Sequence, residues 1–216
     1  MEAPTLKINE IFYSIQGESL FAGKPTVFVR TATCNLRCTY CYTRHAFWHG
    51  EVMPLEAILE KVHEHKTKYV CLTGGEPLGQ QGIYPLMQAL LDEGYTVSLE
   101  TNGSFKVDKV PADVVKVIDL KCPESGEADA NDWDNCSLVS SRDQFKFVVA
   151  SKADFDWAQT ICAKYSLHEK CSVLYSPVAG KVKPIELAEW ILEVEALVTM
   201  QLQLHKEIWG PDKRGV

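Results

Sequence analysis

Cys34-Asn-Leu-Arg-Cys38-Thr-Tyr-Cys41 constrains this chain more than any other segment. Its three cysteines stand at C-x3-C-x2-C spacing, with no fourth cysteine or histidine at a ligand spacing close by. Thiolates are soft ligands that suit zinc or iron–sulfur clusters. Structural zinc normally takes four protein ligands, and a ferredoxin-type cluster takes four cysteines. Three thiolates in one tight loop therefore point to a [4Fe–4S] cluster with one iron left open for an exchangeable ligand, each cysteine reaching a different iron. Two other readings stay open on these residues alone: buried structural cysteines, and a zinc site completed by a distant ligand such as His45 or His49.

A thiolate-held cluster needs a reducing compartment, and the composition agrees with a cytoplasmic protein. Eight cysteines in 216 residues are too sparse for a small disulfide scaffold. The start, Met1-Glu-Ala-Pro-Thr-Leu-Lys, lacks the basic and apolar regions of a signal peptide. No apolar run approaches the ~18 residues of a membrane span. A net charge of −7 argues against broad nucleic-acid binding. The length and the 46% hydrophobic content fit one domain over residues 1–216.

Apolar strand-like runs alternate with helical ones. Strands are expected at Thr26–Arg30, Tyr69–Thr73, Thr96–Glu100, Val114–Leu120, Phe145–Ser151, Ser172–Val178 and Met200–His205. Helices are expected over Pro54–Lys66, from Ile83 to Leu91, over Ala153–Tyr165 and over Pro184–Leu197. The polar stretch Pro123–Asp143 reads as a long loop. This alternation predicts a mostly parallel α/β sheet with right-handed crossovers. The strands are too few for a complete eight-fold barrel, so an incomplete, open one is expected.

In a βα barrel, chemistry gathers where strands end. The cysteine loop follows Thr26–Arg30, and Thr73-Gly74-Gly75-Glu76-Pro77 follows the next strand. Glu100-Thr-Asn-Gly103, Lys121, Ser176-Pro177 and His205-Lys206 follow later ones. Paired glycines allow close backbone approach to a ligand, and Glu76 beside them can accept from an ammonium. Cys71, Cys122, Cys136, Cys162 and Cys171 read as buried free thiols.

Cys34-x3-Cys38-x2-Cys41 with Tyr40 before the third cysteine, together with Gly74-Gly75-Glu76-Pro77, resembles the signature of radical S-adenosylmethionine (SAM) enzymes. Ile11–Glu18, Phe28-Val-Arg30, Glu100–Gly103, Lys146-Phe-Val-Val149 and Leu202–Lys213 resemble, within that superfamily, the 7-carboxy-7-deazaguanine synthase family. The resemblance implies a modified, incomplete radical SAM barrel in a homodimer, with a [4Fe–4S] cluster, SAM and Mg2+ as cofactors. It implies radical ring contraction of 6-carboxy-5,6,7,8-tetrahydropterin, primed by an external electron donor such as flavodoxin or ferredoxin, with no nucleic-acid or membrane partner. By position, Cys34, Cys38 and Cys41 would hold the cluster. Tyr40, Gly74, Gly75, Glu76, Glu100, Lys121 and Ser176 would contact SAM; Gln16, Glu18, Arg30, Thr73 and the C-terminal Val216 the substrate; Thr43 the Mg2+. SAM-derived radical chemistry would leave no catalytic side chain in the hydrogen abstraction itself.

Three residues depart from the pattern the resemblance implies. Tyr42 stands where the family has aspartate, Thr33 where it has glycine before the first cysteine, and Ser19 where it has glycine after Gln-Gly-Glu. Two rival readings predict different things: another radical SAM enzyme, such as a glycyl-radical activase, acts on a protein, and a zinc-binding interaction module has no catalytic cavity.

Overall fold

Strands covered on both faces must be apolar nearly throughout, and such runs build the parallel part of the sheet. The computed structural model describes residues 4–210 and 213–216. Its strands are β1 (Thr5–Ile15), β2 (Pro25–Thr31), β3 (Glu51–Pro54), β4 (Tyr69–Gly74), β5 (Thr96–Thr101), β6 (Val115–Leu120), β7 (Gln144–Val149), β8 (Ser172–Pro177) and β9 (Thr199–Met200). Among the described residues they form one sheet in the order β3-β1-β2-β4-β5-β6-β7-β8-β9. Every pair from β2 to β9 is parallel, while β1 runs antiparallel to both β2 and β3. The edges do not meet, so the sheet is an open, incomplete barrel.

The helices are α1 (Leu55–His63), α2 (Ile83–Asp92), α3 (Lys152–Tyr165), α4 (Leu167–Lys170), α5 (Pro184–Glu193) and α6 (Leu204–Trp209). Each of the longer ones has an apolar stripe on the sheet. Leu55, Ile58 and Val62 are the buried residues of α1, and Ile83, Leu86, Met87 and Leu90 those of α2. Ser151 starts α3 by accepting from the Asp154 amide at 3.2 Å.

The strand expected over Met200–His205 is corrected. Only Thr199–Met200 pairs with β8, and Leu204 already opens α6. The Gln201 amide still reaches the Tyr175 carbonyl at 2.8 Å, but its side chain turns to the backbone of Ser19, accepting from the amide at 2.8 Å and donating to the carbonyl at 2.6 Å. Leu20 N–H donates to Gln144 on β7 (2.9 Å), and Leu204 N–H to the Gly17 carbonyl (3.1 Å). The loop after β1 thus straps the antiparallel side of the sheet to β7 and the β9–α6 segment, across the gap that strand pairing leaves. The polar stretch 123–143 is a loop with three short 3-10 turns, pinned by Asn131 to both backbone groups of Lys121 and by Asn135 to the Val107 amide.

Gly74 and Gly75 let the β4 loop nest against the cysteine loop. A Cβ on Gly75 would lie 1.7 Å from the Thr33 carbonyl oxygen, and Gly74 has φ +135°. Ser19 and Thr33, which replace glycines of the family pattern, both lie in the left-handed region, with φ 64° and 71°. Such backbone costs a residue with a Cβ roughly 1–2 kcal/mol, partly offset because glycine loses more freedom on folding. Thr33 is exposed. Thr33→Gly is therefore expected to stabilise the protein by about 1 kcal/mol, roughly 2–4 °C in Tm. Thermal unfolding checks this, and an unchanged or lower Tm would show that Thr33 carries no strain.

Candidate functional site

The rim at the C-terminal ends of the parallel strands opens on a cavity of about 450 Å3 lined by all three motif cysteines. Cys34, Cys38 and Cys41 are half-buried and unbridged. Among the described residues, no three His, Cys, Asp or Glu side chains converge on one point as a single-ion site requires. Cys34 Sγ accepts from the Leu36 amide (3.4 Å) and the Asn102 side-chain amide (3.7 Å), the kind of donors that stabilise cluster-bound thiolate. Burial pushes the Cys38 thiol up to about 11, while the nearby Lys121 ammonium works the other way. Metal binding removes such protons. The residues present therefore fit a three-thiolate cluster.

Tyr40, Gly74, Gly75, Glu100 and Lys121 line the same cavity, alongside apolar Leu36, Val117, Val148 and Val178. The rest of the lining is strongly polar, with Arg44, Asp119, Lys146 and Lys181 among it, so the cavity offers both an apolar wall and charged groups to a ligand. The Tyr40 hydroxyl donates to the Val148 carbonyl at 3.2 Å, which holds its ring along the wall. Two further residues expected at SAM are buried and hydrogen-bonded within the protein. Glu76 is buried off the lining, with its carboxylate accepting from Leu78 N–H (2.9 Å), Thr101 Oγ1 (2.8 Å) and Asn102 N–H (2.7 Å). Burial raises its pKa and these three donors oppose the rise. Ser176 is buried and donates to the Gln201 carbonyl at 3.1 Å.

A second, smaller cavity of about 250 Å3 adjoins the first. Gln16, Glu18, Arg30, Thr73 and Val216 all line it, with His205 and Lys213–Gly215. Pro211 and Asp212 of the C-terminal motif lie outside the described residues. Arg30, Tyr42, Thr43, Thr73 and Glu100 line both cavities and form the wall between them. Glu100 accepts from Thr73 Oγ1 at 2.9 Å and from Gln16 Nε2 at 3.2 Å. Arg30 is tied through Nε to Glu10 at 2.8 Å. Thr43 contributes one hydroxyl, 3.6 Å from Cys41 Sγ.

Glu18 is the most heavily engaged side chain. Lys146 Nζ lies 2.6 Å from one oxygen, and the Gln203 amide (2.6 Å) and the Tyr42 hydroxyl (3.2 Å) donate to the other. Burial opposes the charge most, yet Lys146 and the hydrogen bonds outweigh it and hold the Glu18 carboxyl at about 2. Burial likewise penalises the Lys146 ammonium, but Glu18 and Asp119 keep its pKa well above the ordinary lysine value. Asp119 continues the chain, 3.6 Å from Lys146 and 3.0 Å from Lys121. Tyr42, the departure from the family pattern, exposes its ring but turns its hydroxyl inward to Glu18, with Lys206 Nζ 4.3 Å above the ring.

Lys146, Asn102, Gln203 and Lys206 fall in motif segments the sequence marks but without an assigned role, and Asp119 falls in none of them. A lysine inside Gln144-Phe-Lys-Phe-Val-Val149 was a usable signal, since a charge in a doubly covered strand needs a partner. Asp119 is its direct register partner on β6.

The buried pair yields a stability prediction. Its Glu18 contribution is fully present above the ordinary carboxyl value of 4.5 and is lost as pH falls toward 2. Lys146→Met leaves Glu18 buried and unpaired, and is expected to cost about 3–5 kcal/mol. Glu18→Gln in that background should recover most of the loss. Urea unfolding reads both, and a stable Lys146→Met protein would contradict the strut.

The radical SAM superfamily model matches residues 28–118, which span the cysteine loop and the β4 glycines. The chain is 47% identical to a 7-carboxy-7-deazaguanine synthase of Chlorobaculum tepidum, over 100% of this chain and 99% of that one. It is 38% identical to the Koribacter versatilis synthase, over 98% and 100%. The crystal structure of QueE from Escherichia coli superposes with a TM-score of 0.76 at 20% identity, covering 92% of this chain and 94% of that one, a likeness of fold. With matched sequence along its full length and a three-cysteine loop at the rim of an open barrel, the chain belongs to the radical SAM superfamily and, within it, to the 7-carboxy-7-deazaguanine synthase family.

Proposed function

We propose that the chain is a carbon–nitrogen lyase converting 6-carboxy-5,6,7,8-tetrahydropterin to 7-carboxy-7-deazaguanine and ammonia, in 7-deazapurine and queuosine biosynthesis. The observation that carries this reading is the pair of adjoining cavities: one lined by the cysteines, the other by Gln16, Glu18, Arg30 and Val216, with Thr43, Thr73 and Glu100 between them. When bound on Cys34, Cys38 and Cys41 and reduced, the cluster with SAM supplies a 5′-deoxyadenosyl radical for hydrogen abstraction from C6 of the pterin. Tyr40, Gly74, Gly75, Glu100 and Lys121 hold SAM along the wall of the larger cavity. The smaller cavity suits a bicyclic substrate rather than a protein segment, which disfavours an activase.

The side chains divide the recognition. Glu18 is ionised at neutral pH and accepts from the guanidine-like edge of the pterin, whose donors replace those of Tyr42 or Gln203. Arg30 is fixed through Nε by Glu10, which keeps its terminal nitrogens for the substrate carboxylate. Gln16 and Thr73 are oriented by Glu100, so the wall holds its shape as substrate enters. Thr43 would hold Mg2+ through its hydroxyl, and the neighbouring Tyr42 would add no carboxylate to the ion. The protein works as a cytoplasmic homodimer, primed by a flavodoxin- or ferredoxin-type donor, with no nucleic-acid or membrane partner. Among the described residues, no helix is long and apolar enough to cross a membrane.

Anaerobic reconstitution is expected to load about four irons per chain. Incubation with the tetrahydropterin, SAM, dithionite and Mg2+ should then yield the deazaguanine by mass spectrometry, and Cys38→Ala should abolish SAM cleavage. Iron-loaded protein that cleaves SAM but never contracts the pterin would overturn the substrate assignment. Thr43→Ala is expected to shift the Mg2+ titration of turnover at least tenfold while SAM affinity holds. An unmoved titration would remove Thr43 from the metal.

A further inference from the structure

Tyr42 and Gln203 both donate to Glu18, but from different sides. Glu18 lines the smaller cavity, and of its three side-chain partners only Tyr42 lines that cavity with it. Gln203 and Lys146 line the larger cavity instead. A ligand entering the smaller cavity therefore meets the Tyr42 hydroxyl first. The hold on the two donors also differs. Gln203 donates at 2.6 Å, and its own carbonyl oxygen accepts from Lys206 Nζ, which fixes the direction of the amide. The Tyr42 hydroxyl stands at 3.2 Å. Its ring is 52% exposed, with the Lys206 ammonium 4.3 Å above it and the tilted His205 ring at 5.9 Å. An outward swing of so exposed a ring costs little packing.

Each carboxylate oxygen has about two lone-pair sites. Among the described residues, Glu18 Oε1 uses both, on Gln203 and Tyr42, while Oε2 uses one, on Lys146. A guanidine-like edge presents two parallel N–H donors and needs one site on each oxygen. Oε2 can supply its site as it stands. Oε1 can supply one only by losing a donor. Burial and the Glu18 charge hold the pKa of the Tyr42 hydroxyl well above the ordinary tyrosine value, so at neutral pH it stays a neutral donor. Leaving Oε1 costs it no charge.

We infer that the Tyr42 hydroxyl is a placeholder on Glu18: it satisfies Oε1 while the smaller cavity is empty and gives way to the ring donors of the pterin, while Gln203 and Lys146 keep their hold. The inference rests on the substrate reading proposed above and deepens it by naming the positioning residue that the substrate displaces. One hydrogen bond replaces another, and no covalent bond changes. The consequence is a pair of effects with opposite signs. The same hydrogen bond that stabilises the empty protein opposes entry of the ligand. A residue with a purely structural role would not link the two in this way.

The test reads binding and stability together. Tyr42→Phe and, separately, Gln203→Leu are made in the reconstituted holoenzyme with SAM and checked for unchanged iron content. The probe is 6-carboxypterin, an oxidised analogue that keeps the guanidine-like edge and has no hydrogen at C6 to abstract. Its affinity is measured by isothermal titration, and thermal unfolding is followed in its absence. Tyr42→Phe is expected to lower the Tm of the ligand-free protein by about 2–4 °C. It is expected to tighten 6-carboxypterin binding about fivefold. Gln203→Leu should lower the Tm with no gain in affinity. The analogue 6-carboxylumazine carries oxygen in place of the exocyclic amine, and should gain nothing from Tyr42→Phe. Unchanged or weaker 6-carboxypterin binding by Tyr42→Phe would overturn the inference, because the hydroxyl would then be a fixed part of the site. Equal gains for both analogues would overturn it too, since they would mark relief of crowding rather than exchange at Glu18. So would tighter binding by Gln203→Leu alone. Failure of the wild type to bind 6-carboxypterin would instead strike the substrate reading.

Discussion

Lys146 reaches from β7 into the open barrel and meets Glu18, which arrives from the loop after β1, 128 residues away in sequence. This ion pair is the contact on which the rest of the site depends. The sheet leaves β3 and β9 as separate edges, so nothing in the strand ladder fixes the width of the lumen. Glu18, together with the Ser19–Gln201 and Leu20–Gln144 bonds, fixes it from within. A buried ion pair is a weak source of net stability but a strong specifier of geometry when each partner has no alternative. Here it specifies the floor that two cavities share.

The pair also explains how one carboxylate can serve both structure and recognition. Glu18 accepts from three side chains at once, and only Lys146 among them is a charge partner. The uncharged donors, Tyr42 and Gln203, can be exchanged for donors on a ligand while the ion pair stays intact. Lys206, above the Tyr42 ring, and Gln203 both come from the β9–α6 region, so that segment contacts both Tyr42 and Glu18. Tyr42 shapes the electrostatics of this corner: its hydroxyl donates to Glu18, and it places no carboxylate beside Thr43.

Much of the architecture was legible because parallel strands covered on both faces must read as apolar runs. Thr26–Arg30, Tyr69–Thr73, Thr96–Glu100 and Ser172–Val178 lie within a residue or two of β2, β4, β5 and β8. β1 was not legible: an edge-side strand carrying Lys7, Asn9 and Glu10 offers no clean pattern, and its pairing becomes visible only in the fold. The segment from Met200 misled because its alternation suits a strand, while past the Gln201 amide, which still bonds to β8, the Leu204 amide turns to Gly17 of the β1 loop. In the site, the cysteines and paired glycines were legible because their spacing is local. Lys146 and Asp119 were not, because their partnership is set by the β6–β7 register and by the strap across the lumen. The bonds of the Glu76 carboxylate were not legible either, because Thr101 and Asn102 reach it only through the fold.

The central claim is that the two cavities sharing the Thr43–Thr73–Glu100 wall hold SAM on one side and the pterin on the other, close enough for direct hydrogen transfer. Isotope transfer tests this most directly. The tetrahydropterin deuterated at C6 is incubated anaerobically with reconstituted protein, and SAM and 5′-deoxyadenosine are analysed by mass spectrometry. The account predicts deuterium at the 5′ carbon, from this label and not from a label elsewhere on the ring. Product formation with no deuterium in either adenosyl species would contradict it.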